Sequence, residues 1–162
     1  MSYIFNKRVK EFVVAANQRG VRMLMVGGGA VNFHGYQRHS ADVDFWIDLS
    51  KENLQKLILT LQDLGYKIDD FNDKIKQGKQ NISIKISPVA EIELITNFNP
   101  NKSFEEAYNE KLEVTINENK ILRYDILSLN DLITSKIKAG RHKDLLDVYE
   151  LKRINNLEDN NL

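Results

Sequence analysis

The sequence predicts an α/β (α+β) fold arranged as one domain. Six short segments have the apolar content or the strict alternation of strands, and they are interspersed with segments whose apolar residues recur at helical spacing. With 162 residues, the chain is long enough for one hydrophobic core and too short for two. We therefore expect a single domain over residues 1–154, followed by a flexible tail over residues 155–162.

The chain begins with a predicted helix and a predicted buried strand. Gly20 is placed to end the helix, because glycine readily adopts the left-handed conformation that follows many helix C-termini. Residues 21–26 form the strand, which leads directly into three glycines. The helix is indicated by apolar residues at helical spacing, namely Phe5, Val9, Phe12, Val13 and Ala16.

Residues 42–48 form a second predicted strand, with two unlike faces. Successive side chains alternate across a strand, so one face is apolar and suited to a core, and the other is mostly acidic. A helix follows, with Ser50 as its N-cap and Gly65 at its end. The apolar strand face consists of Val43, Phe45 and Ile47, and the other of Asp42, Asp44 and the expected rim residues Trp46 and Asp48. The helix has an apolar stripe of Leu54, Leu57, Ile58 and Leu61.

The next part of the chain contains two predicted strand pairs. After a polar stretch over residues 69–80, residues 82–86 and 91–95 alternate like neighbouring strands joined by a short turn. Residues 112–116 and 121–124 flank the polar segment 117–120 as a hairpin. Between the two pairs, Ser103 and Glu106 have capping-box spacing for a short helix.

The C-terminal part is predicted to be helical. Ser128 and Asp131 again have capping-box spacing, and Gly140 interrupts the helical pattern before a second helix over residues 144–153. The apolar face of the first of these helices is formed by Leu129, Leu132, Ile133 and Ile137.

Composition excludes several classes of protein. Lysine and arginine total 23, as do aspartate and glutamate, so the zero net charge gives no reason to expect strong non-specific binding to nucleic acid or membranes. Without cysteine, the chain has no disulfide and no thiolate site, which fits a reducing cytoplasm. No apolar run approaches the roughly 18 residues of a membrane helix, and we expect a cytoplasmic protein.

The glycine run and the acidic strand together suggest a nucleotide site. Asp42 and Asp44 lie two residues apart, so an extended backbone points both carboxylates to one side, where they can hold a divalent metal. The exposed amides of Gly27, Gly28 and Gly29 could approach a phosphate closely. In the alternative interpretation, the aspartates are solvated surface residues and the glycines only turn the chain from strand to helix.

These residues resemble the signature of the nucleotidyltransferase superfamily, the polymerase-beta-like fold. The signature consists of Gly28-Gly29, then Asp42-Val43-Asp44, then an acidic residue on a later strand. The resemblance extends over residues 21–152 and is to a small bacterial branch that includes the nucleotidyltransferase toxins of abortive-infection toxin-antitoxin systems. It implies a mixed β-sheet flanked by helices, with the C-terminal helices packed on it. The matching segments are residues 27–35 with Arg38, residues 40–45, residues 129–132 leading to Lys136, residues 139–141 and residues 143–147.

The resemblance implies transfer of a nucleoside monophosphate from a nucleoside triphosphate to an acceptor hydroxyl. Asp42 and Asp44 would be catalytic residues that hold two Mg²⁺ ions. Glu93 would be the third catalytic carboxylate and metal ligand, and would draw the proton from the acceptor; Glu91 is the reserve candidate. The chain departs from the superfamily pattern by having Gly29 where serine is frequent and glutamate where aspartate is usual.

The triphosphate would be bound by Gly27, Gly28, Gly29, Arg38 and Lys136, with ATP binding as the expectation. Lys136 falls in the buried stripe of its helix, so it either faces a phosphate or pairs with Asp144 or Asp147. Arg38 either contacts phosphate or anchors its loop. His34 is expected to hold the loop by hydrogen bonds rather than to bind a metal.

The resemblance favours a macromolecular acceptor, tRNA or a protein, and an antitoxin as a partner that restrains the activity. Lys136, Lys138, Arg141 and Lys143 could supply a local basic patch for RNA. One alternative is an enzyme that modifies a small molecule, such as an antibiotic. Another is a non-catalytic module of the same fold that binds a nucleotide or a partner.

Overall fold

The computed structural model describes residues 6–40, 42–117 and 121–157. In chain order the helices and strands are α1 (Lys7–Arg19), β1 (Met23–Val26), α2 (Gly27–Phe33), β2 (Val43–Ile47), α3 (Lys51–Asp63), α4 (Asp73–Lys76), β3 (Ile82–Ser87), β4 (Ala90–Ile95), α5 (Phe104–Asn109), β5 (Leu112–Asn117), β6 (Ile121–Ile126), α6 (Leu129–Ala139) and α7 (His142–Ile154). This mixture of helices and strands confirms the α/β prediction.

The strands form one mixed sheet in the order β3-β4-β2-β1-β6-β5. The two predicted pairs, β3 with β4 and β5 with β6, are antiparallel hairpins. In the centre, β2 runs antiparallel to β1 and parallel to β4, while β1 runs parallel to β6. The predicted turn of the β5–β6 hairpin includes residues 118–120, which lie outside the described residues.

The two faces of β2 have the different surroundings that its alternation predicts. On the apolar face, Phe45 is fully buried and its ring lies 6.1 Å from that of Phe12 on α1, which packs against α3. Asp44 and Trp46 point to the opposite face. Trp46 is only 5% exposed, because Phe98 and Phe104 cover it; the prediction that it lies at a rim was therefore wrong.

Helix ends follow the predicted capping residues closely. Gly20 and Gly140 both adopt the left-handed conformation at helix C-termini, with φ of 70° and 66°. Ser50 caps α3, and Ser103 forms a complete capping box with Glu106. These caps satisfy backbone groups that a helix leaves without partners, which is why such short sequence signals fix the boundaries.

Three helical features differ from the predictions. The short helix α4, capped by Asn72, lies within the stretch that looked merely polar. Only half of the second predicted capping box forms, because the carboxylate of Asp131 pairs with Lys102 instead of returning to Ser128. On α6, Ile137 is 37% exposed whereas Lys136 is 8% exposed, so the lysine and not the isoleucine completes the buried stripe.

Two further predictions concern the ends of the chain, namely the start of the first helix and the C-terminal tail. Phe5, counted in the stripe of the first helix, and residues 158–162 of the predicted tail lie outside the described residues. Asn155 and Leu157 are hydrogen-bonded to the end of α7, so the first part of that tail continues the helix terminus. Among the described residues, no helix has the length and apolar character needed to cross a membrane.

Candidate functional site

The parallel pairing of β2 and β4 brings the predicted acidic residues to one place. Asp44 and Glu93 are direct partners in the register, so their side chains are neighbours on the same face of the sheet. Asp42 precedes β2 by one residue, and its carboxylate accepts a hydrogen bond of 3.0 Å from the backbone N–H of Glu91. The register thus places Glu93, rather than Glu91, beside Asp44.

Asp44 occupies the most unusual electrostatic environment of the three. Its side chain is half-buried, and its carboxylate makes no hydrogen bond or ion pair with the described residues. Burial raises the pKa of Asp44 to about 6, and the negative charges of Glu93 and Asp42 add to the increase. Lys136 and Lys143 lower this pKa in part. A carboxylate held among other acids in this way attracts a cation.

The other two carboxylates already have protein partners. Glu93 accepts a hydrogen bond of 3.2 Å from the side-chain amide of Asn81, and Asp42 is bonded to the backbone of β4. Throughout residues 6–40, 42–117 and 121–157, no group of three or more histidine, cysteine, aspartate or glutamate side chains is arranged to hold a metal ion. The metal set of Asp42, Asp44 and Glu93 therefore stays a prediction.

The three glycines lie in the first turn of α2, where each leaves room for another side chain. Gly27 has a φ of 61°, and a Cβ atom there would collide with the carboxylate of Asp44. A Cβ atom at Gly28 would collide with Ser40, and one at Gly29 would lie 2.9 Å from the sulfur of Met25. Close packing therefore accounts for three consecutive glycines, and their contact with phosphate stays a prediction.

Lys136 and Arg38 share one buried carboxylate. Lys136 Nζ lies 2.8 Å from Asp147 Oδ2 and 3.4 Å from Asp144 Oδ1. Arg38 contacts both oxygens of Asp147, each at 3.0 Å. The structure therefore shows the pairing of Lys136 with Asp144 and Asp147 and the anchoring of the Arg38 loop, which were the non-phosphate alternatives for these two residues.

Asp144 completes this network at the start of α7. Although its burial favours the neutral acid, hydrogen bonds and charges from Arg141 and Lys136 lower the pKa of Asp144. Arg141 Nε donates to Asp144 Oδ2 at 2.6 Å. Three cations, Arg38, Lys136 and Arg141, thus share the two carboxylates of Asp144 and Asp147, so the network retains an excess of positive charge.

Asp44 on β2 and the basic residues of α6 and the start of α7 line a cleft of about 560 Å³, whereas Asp42 lines a separate cavity with Arg38. Gly27 and Asp44 line one wall, and Lys136, Lys138 and Arg141 line the other. Residues 97–99, which follow β4, form a third side. The cleft therefore contains a carboxylate, that of Asp44, with no partner among the described residues, together with three basic side chains.

Comparison with known families identifies the chain. Residues 6–162 match the model of a family described as a nucleotidyltransferase of unknown function (DUF6036). The chain belongs to this family. No curated protein matches it. Membership confirms the resemblance to nucleotidyltransferases and assigns the chain to the transferases at that coarse level, whereas the narrower resemblance to toxins of toxin-antitoxin systems stays a prediction.

His34 makes a hydrogen bond that holds its segment in place, as the sequence predicted. Its Nε2 atom lies 2.8 Å from the carbonyl oxygen of Leu127, across 93 residues of sequence. Burial lowers the pKa of His34, which favours the neutral ring. His34 therefore fastens α2 to the chain after β6.

Sequence reasoning missed the loop between β4 and α5. Lys102 Nζ lies 2.8 Å from the buried Asp131 Oδ1, and Lys138 Nζ donates to Asn101 Oδ1 at 3.0 Å. Both contacts tie this loop to α6, the helix that supplies cations to the cleft. No periodicity marks a loop, and the capping-box spacing of Asp131 pointed to a different partner.

Proposed function

We propose that the protein is a Mg²⁺-dependent nucleotidyltransferase that moves a nucleoside monophosphate from a nucleoside triphosphate to an acceptor hydroxyl. The supporting observation is the cleft in which Asp44 faces Lys136, Lys138 and Arg141. Membership of the family supports the reaction class. Asp44 with the adjacent Asp42 and Glu93, which we call the acidic wall, suits divalent cations. The basic wall, which consists of Lys136, Lys138 and Arg141, suits phosphate oxygens.

The donor chemistry of the acidic wall fits Mg²⁺. Hard cations prefer carboxylate oxygens, and Asp44 keeps a carboxylate without a hydrogen-bond or ion-pair partner among the described residues. Burial raises its pKa to about 6, and repulsion from Glu93 and Asp42, which a bound cation would relieve, adds to the increase. We propose that Asp42, Asp44 and Glu93 hold the metal, with two ions expected. When bound, the ions would stabilise the attacking and leaving oxygens.

The basic wall would bind the triphosphate. Lys138 and Arg141 are exposed at the cleft, and Lys136 lies deeper, within hydrogen-bond reach of its carboxylate partners. Because three cations share Asp144 and Asp147, this wall can accept further negative charge. Arg38 would act on the phosphates by positioning the loop before β2. The backbone of Gly27, which lines the cleft, would contact a phosphate, while its missing side chain leaves room for the Asp44 carboxylate.

In the proposed reaction, the acceptor oxygen attacks the α-phosphorus, and the bond to the bridging oxygen of pyrophosphate breaks. The acceptor proton passes to the carboxylate of Glu93, which lies beside Asp44 on the adjacent strand. Asn81 donates to Glu93 and orients this carboxylate. The charge of the leaving pyrophosphate is met by the lysines and the arginine of the basic wall.

For the acceptor, we propose tRNA or a protein, with restraint by an antitoxin, on the strength of the resemblance to the toxin branch. A small antibiotic-type acceptor is the alternative within the same reaction class. A non-catalytic nucleotide-binding module is the alternative from another class. It is favoured by two observations on the described residues: no three-ligand metal group is formed, and Lys136 already pairs with Asp147.

The decisive experiment measures label transfer from each α-³²P nucleoside triphosphate in a cell extract containing Mg²⁺. The wild type is compared with Asp44→Asn and with the matched control Asp48→Asn. Asp48 lies on the same strand face but is paired with Arg22 and lines a different cavity. Transfer that is lost only in Asp44→Asn supports the proposal. Equal transfer by Asp44→Asn contradicts it, and triphosphate binding without transfer favours the binding module.

A further inference from the structure

The loop after β4 places one aromatic ring in the cleft. Phe98 is half-buried, and of the described residues that line the cleft it is the aromatic one. The ring of Trp46 lies 5.1 Å from it, at an interplanar angle of 50°. Trp46 thus packs against Phe98, and the half-buried Phe98 lines both the cleft and a second cavity, which Trp46 also lines.

Several polar contacts hold this ring at a set position relative to the basic wall. Asn99 Oδ1 accepts from the backbone N–H of Asn101 at 2.7 Å, and Asn101 has a left-handed φ of 62°. Asn101 in turn accepts from Lys138 on α6, and Lys102 pairs with the buried Asp131 of the same helix. The loop that carries Phe98 is therefore fixed to the helix that carries Lys136 and Lys138.

Two exposed carboxamides adjoin Phe98 in the sequence and line the cleft with it. Asn97 makes no hydrogen bond with the described residues, so both its carbonyl and its amino group are available. The amino group of Asn99 is also available, since only its oxygen is used in the turn. A carboxamide both donates and accepts hydrogen bonds, which is the pattern that the edge of a nucleobase requires.

We infer that Phe98, Asn97 and Asn99 form the nucleobase subsite of the cleft. The base would lie against the ring of Phe98, while the two carboxamides contact its edge and the phosphates extend towards Lys138 and Arg141. Stacking on an aromatic side chain tolerates every base, whereas edge contacts discriminate among them. This inference rests on the proposed function, because it assumes that the cleft binds a nucleoside triphosphate.

A second cavity, on the other side of the same loop, provides a control. It measures about 710 Å³ and shares Asn97, Phe98 and Asn99 with the cleft, but it is also lined by Phe104, Asp48 and Lys102, which the cleft lacks. Its charged groups already have partners: Asp48 pairs with Arg22, Lys102 pairs with Asp131, and Glu106 accepts hydrogen bonds from Ser103. Phe104 contacts Trp46 at 5.0 Å, much as Phe98 does, but it does not line the cleft with Asp44. Phe104→Leu is therefore a matched control for Phe98→Leu.

The test is isothermal titration calorimetry with two ligands, Mg·ATP and inorganic tripolyphosphate with Mg²⁺. We expect Phe98→Leu to raise the Kd for ATP roughly tenfold, because it removes the stacking surface. The Kd for tripolyphosphate is expected to stay the same, since that ligand has no base. Phe104→Leu is expected to leave both values unchanged, and Phe98→Tyr to retain ATP affinity.

Each outcome separates this inference from the proposed function. If Phe98→Leu binds ATP as tightly as the wild type does, the base subsite is wrong, while triphosphate binding by the cleft stands. If the wild type binds neither ligand, both the function and the subsite are overturned. Should Phe98→Leu fail to fold, the second test is Asn97→Ala, a substitution of an exposed residue. The Kd of this variant is measured for ATP, GTP, CTP and UTP. A changed ranking of the four affinities supports the subsite, and an unchanged ranking contradicts it.

Discussion

The acidic wall and the basic wall of the cleft differ in whether their buried carboxylates are paired with cations. On α6 and α7, each buried carboxylate has a cation within hydrogen-bond reach, as in the contacts of Asp144 and Asp147. On β2, Asp44 is half-buried beside other acids and makes no hydrogen bond or ion pair within the described part of the chain. The basic wall is therefore stable without a ligand, whereas the acidic wall gains most from one.

This difference separates a framework from a binding surface. A buried charge that is paired contributes to holding the fold, and removing its partner leaves a large desolvation cost. A buried charge surrounded by like charges weakens the fold and strengthens the binding of an opposite charge. Four substitutions test whether the two walls behave as this contrast requires.

The largest effect is expected for Asp147→Ala on the basic wall. Its side chain is 3% exposed and holds both Arg38 and Lys136, so the substitution removes the ion-pair partner of the partly buried Arg38 and leaves the buried Lys136 with Asp144 alone, at 3.4 Å. We expect a loss of about 3–5 kcal/mol in the free energy of unfolding, measured by urea denaturation. Glu150→Gln, which removes an exposed ion pair with Arg153 on the same helix, serves as the control and is expected to change stability very little. Equal effects of the two substitutions would contradict the proposed framework role.

The second largest loss of stability is expected where the first residue of α2, Gly27, lies against the Asp44 carboxylate. Gly27→Ala combines a left-handed backbone with a collision at the Asp44 carboxylate. We expect a destabilisation of about 3 kcal/mol. Gly65→Ala has a positive φ of 92° but meets no atom within 4 Å, so it reports the backbone strain alone, about 1 kcal/mol. The difference in urea midpoints between the two variants measures the collision, and no difference would mean that the carboxylate can move aside freely.

The third effect is the pH dependence caused by Asp44. Its pKa is raised from the ordinary 3.8 to about 6, so the unfolded state releases the proton first as the pH increases. This penalty is absent below pH 3.8, grows between pH 3.8 and 6, and is complete above that range. In EDTA, Asp44→Asn is therefore expected to stabilise the protein by about 2 kcal/mol at pH 8 and to have little effect near pH 4. Unfolding free energies of both proteins at the two pH values check this, and a destabilised Asp44→Asn variant at pH 8 would contradict it.

The smallest effect is expected for an exposed cation of the basic wall. Lys138→Gln removes one charge that faces the cleft and its hydrogen bond to Asn101. We expect the affinity for Mg·ATP to fall about threefold, with little change in thermal stability. Lys51→Gln, at the exposed start of α3, provides the matched control. Titration calorimetry should show that the control retains the affinity of the wild type.

Local patterns predicted most of the secondary structure, because the signals lie within a few residues of each other. Gly20, Ser50 and the Ser103–Glu106 pair marked helix ends correctly, and the alternation over residues 42–48 gave the two faces of β2. The meeting of Asp44 with Glu93 was anticipated only through resemblance to a family. Spacing in the sequence cannot reveal which strands pair when 49 residues separate them.

The features that were not predicted depend on long-range packing. The loop with Phe98 and Asn101 has no periodicity, yet it lies between two cavities and is bonded to α6. Trp46 lies on the same face of β2 as Asp44, but aromatic rings from later in the chain bury it. The glycine run likewise looked longer than a turn needs, because the side chains that occupy the space beside it belong to Met25, Ser40 and Asp44.

The carboxylate of Asp147 bonds to a guanidinium 109 positions earlier in the chain. During synthesis on the ribosome, Arg38 emerges long before this partner does. Until α7 has left the exit tunnel, the loop before β2 lacks its anchor and Lys136 lacks its counter-ion. The ion pairs that hold the basic wall therefore form only after α7 has emerged and packed against α6 and the loop before β2.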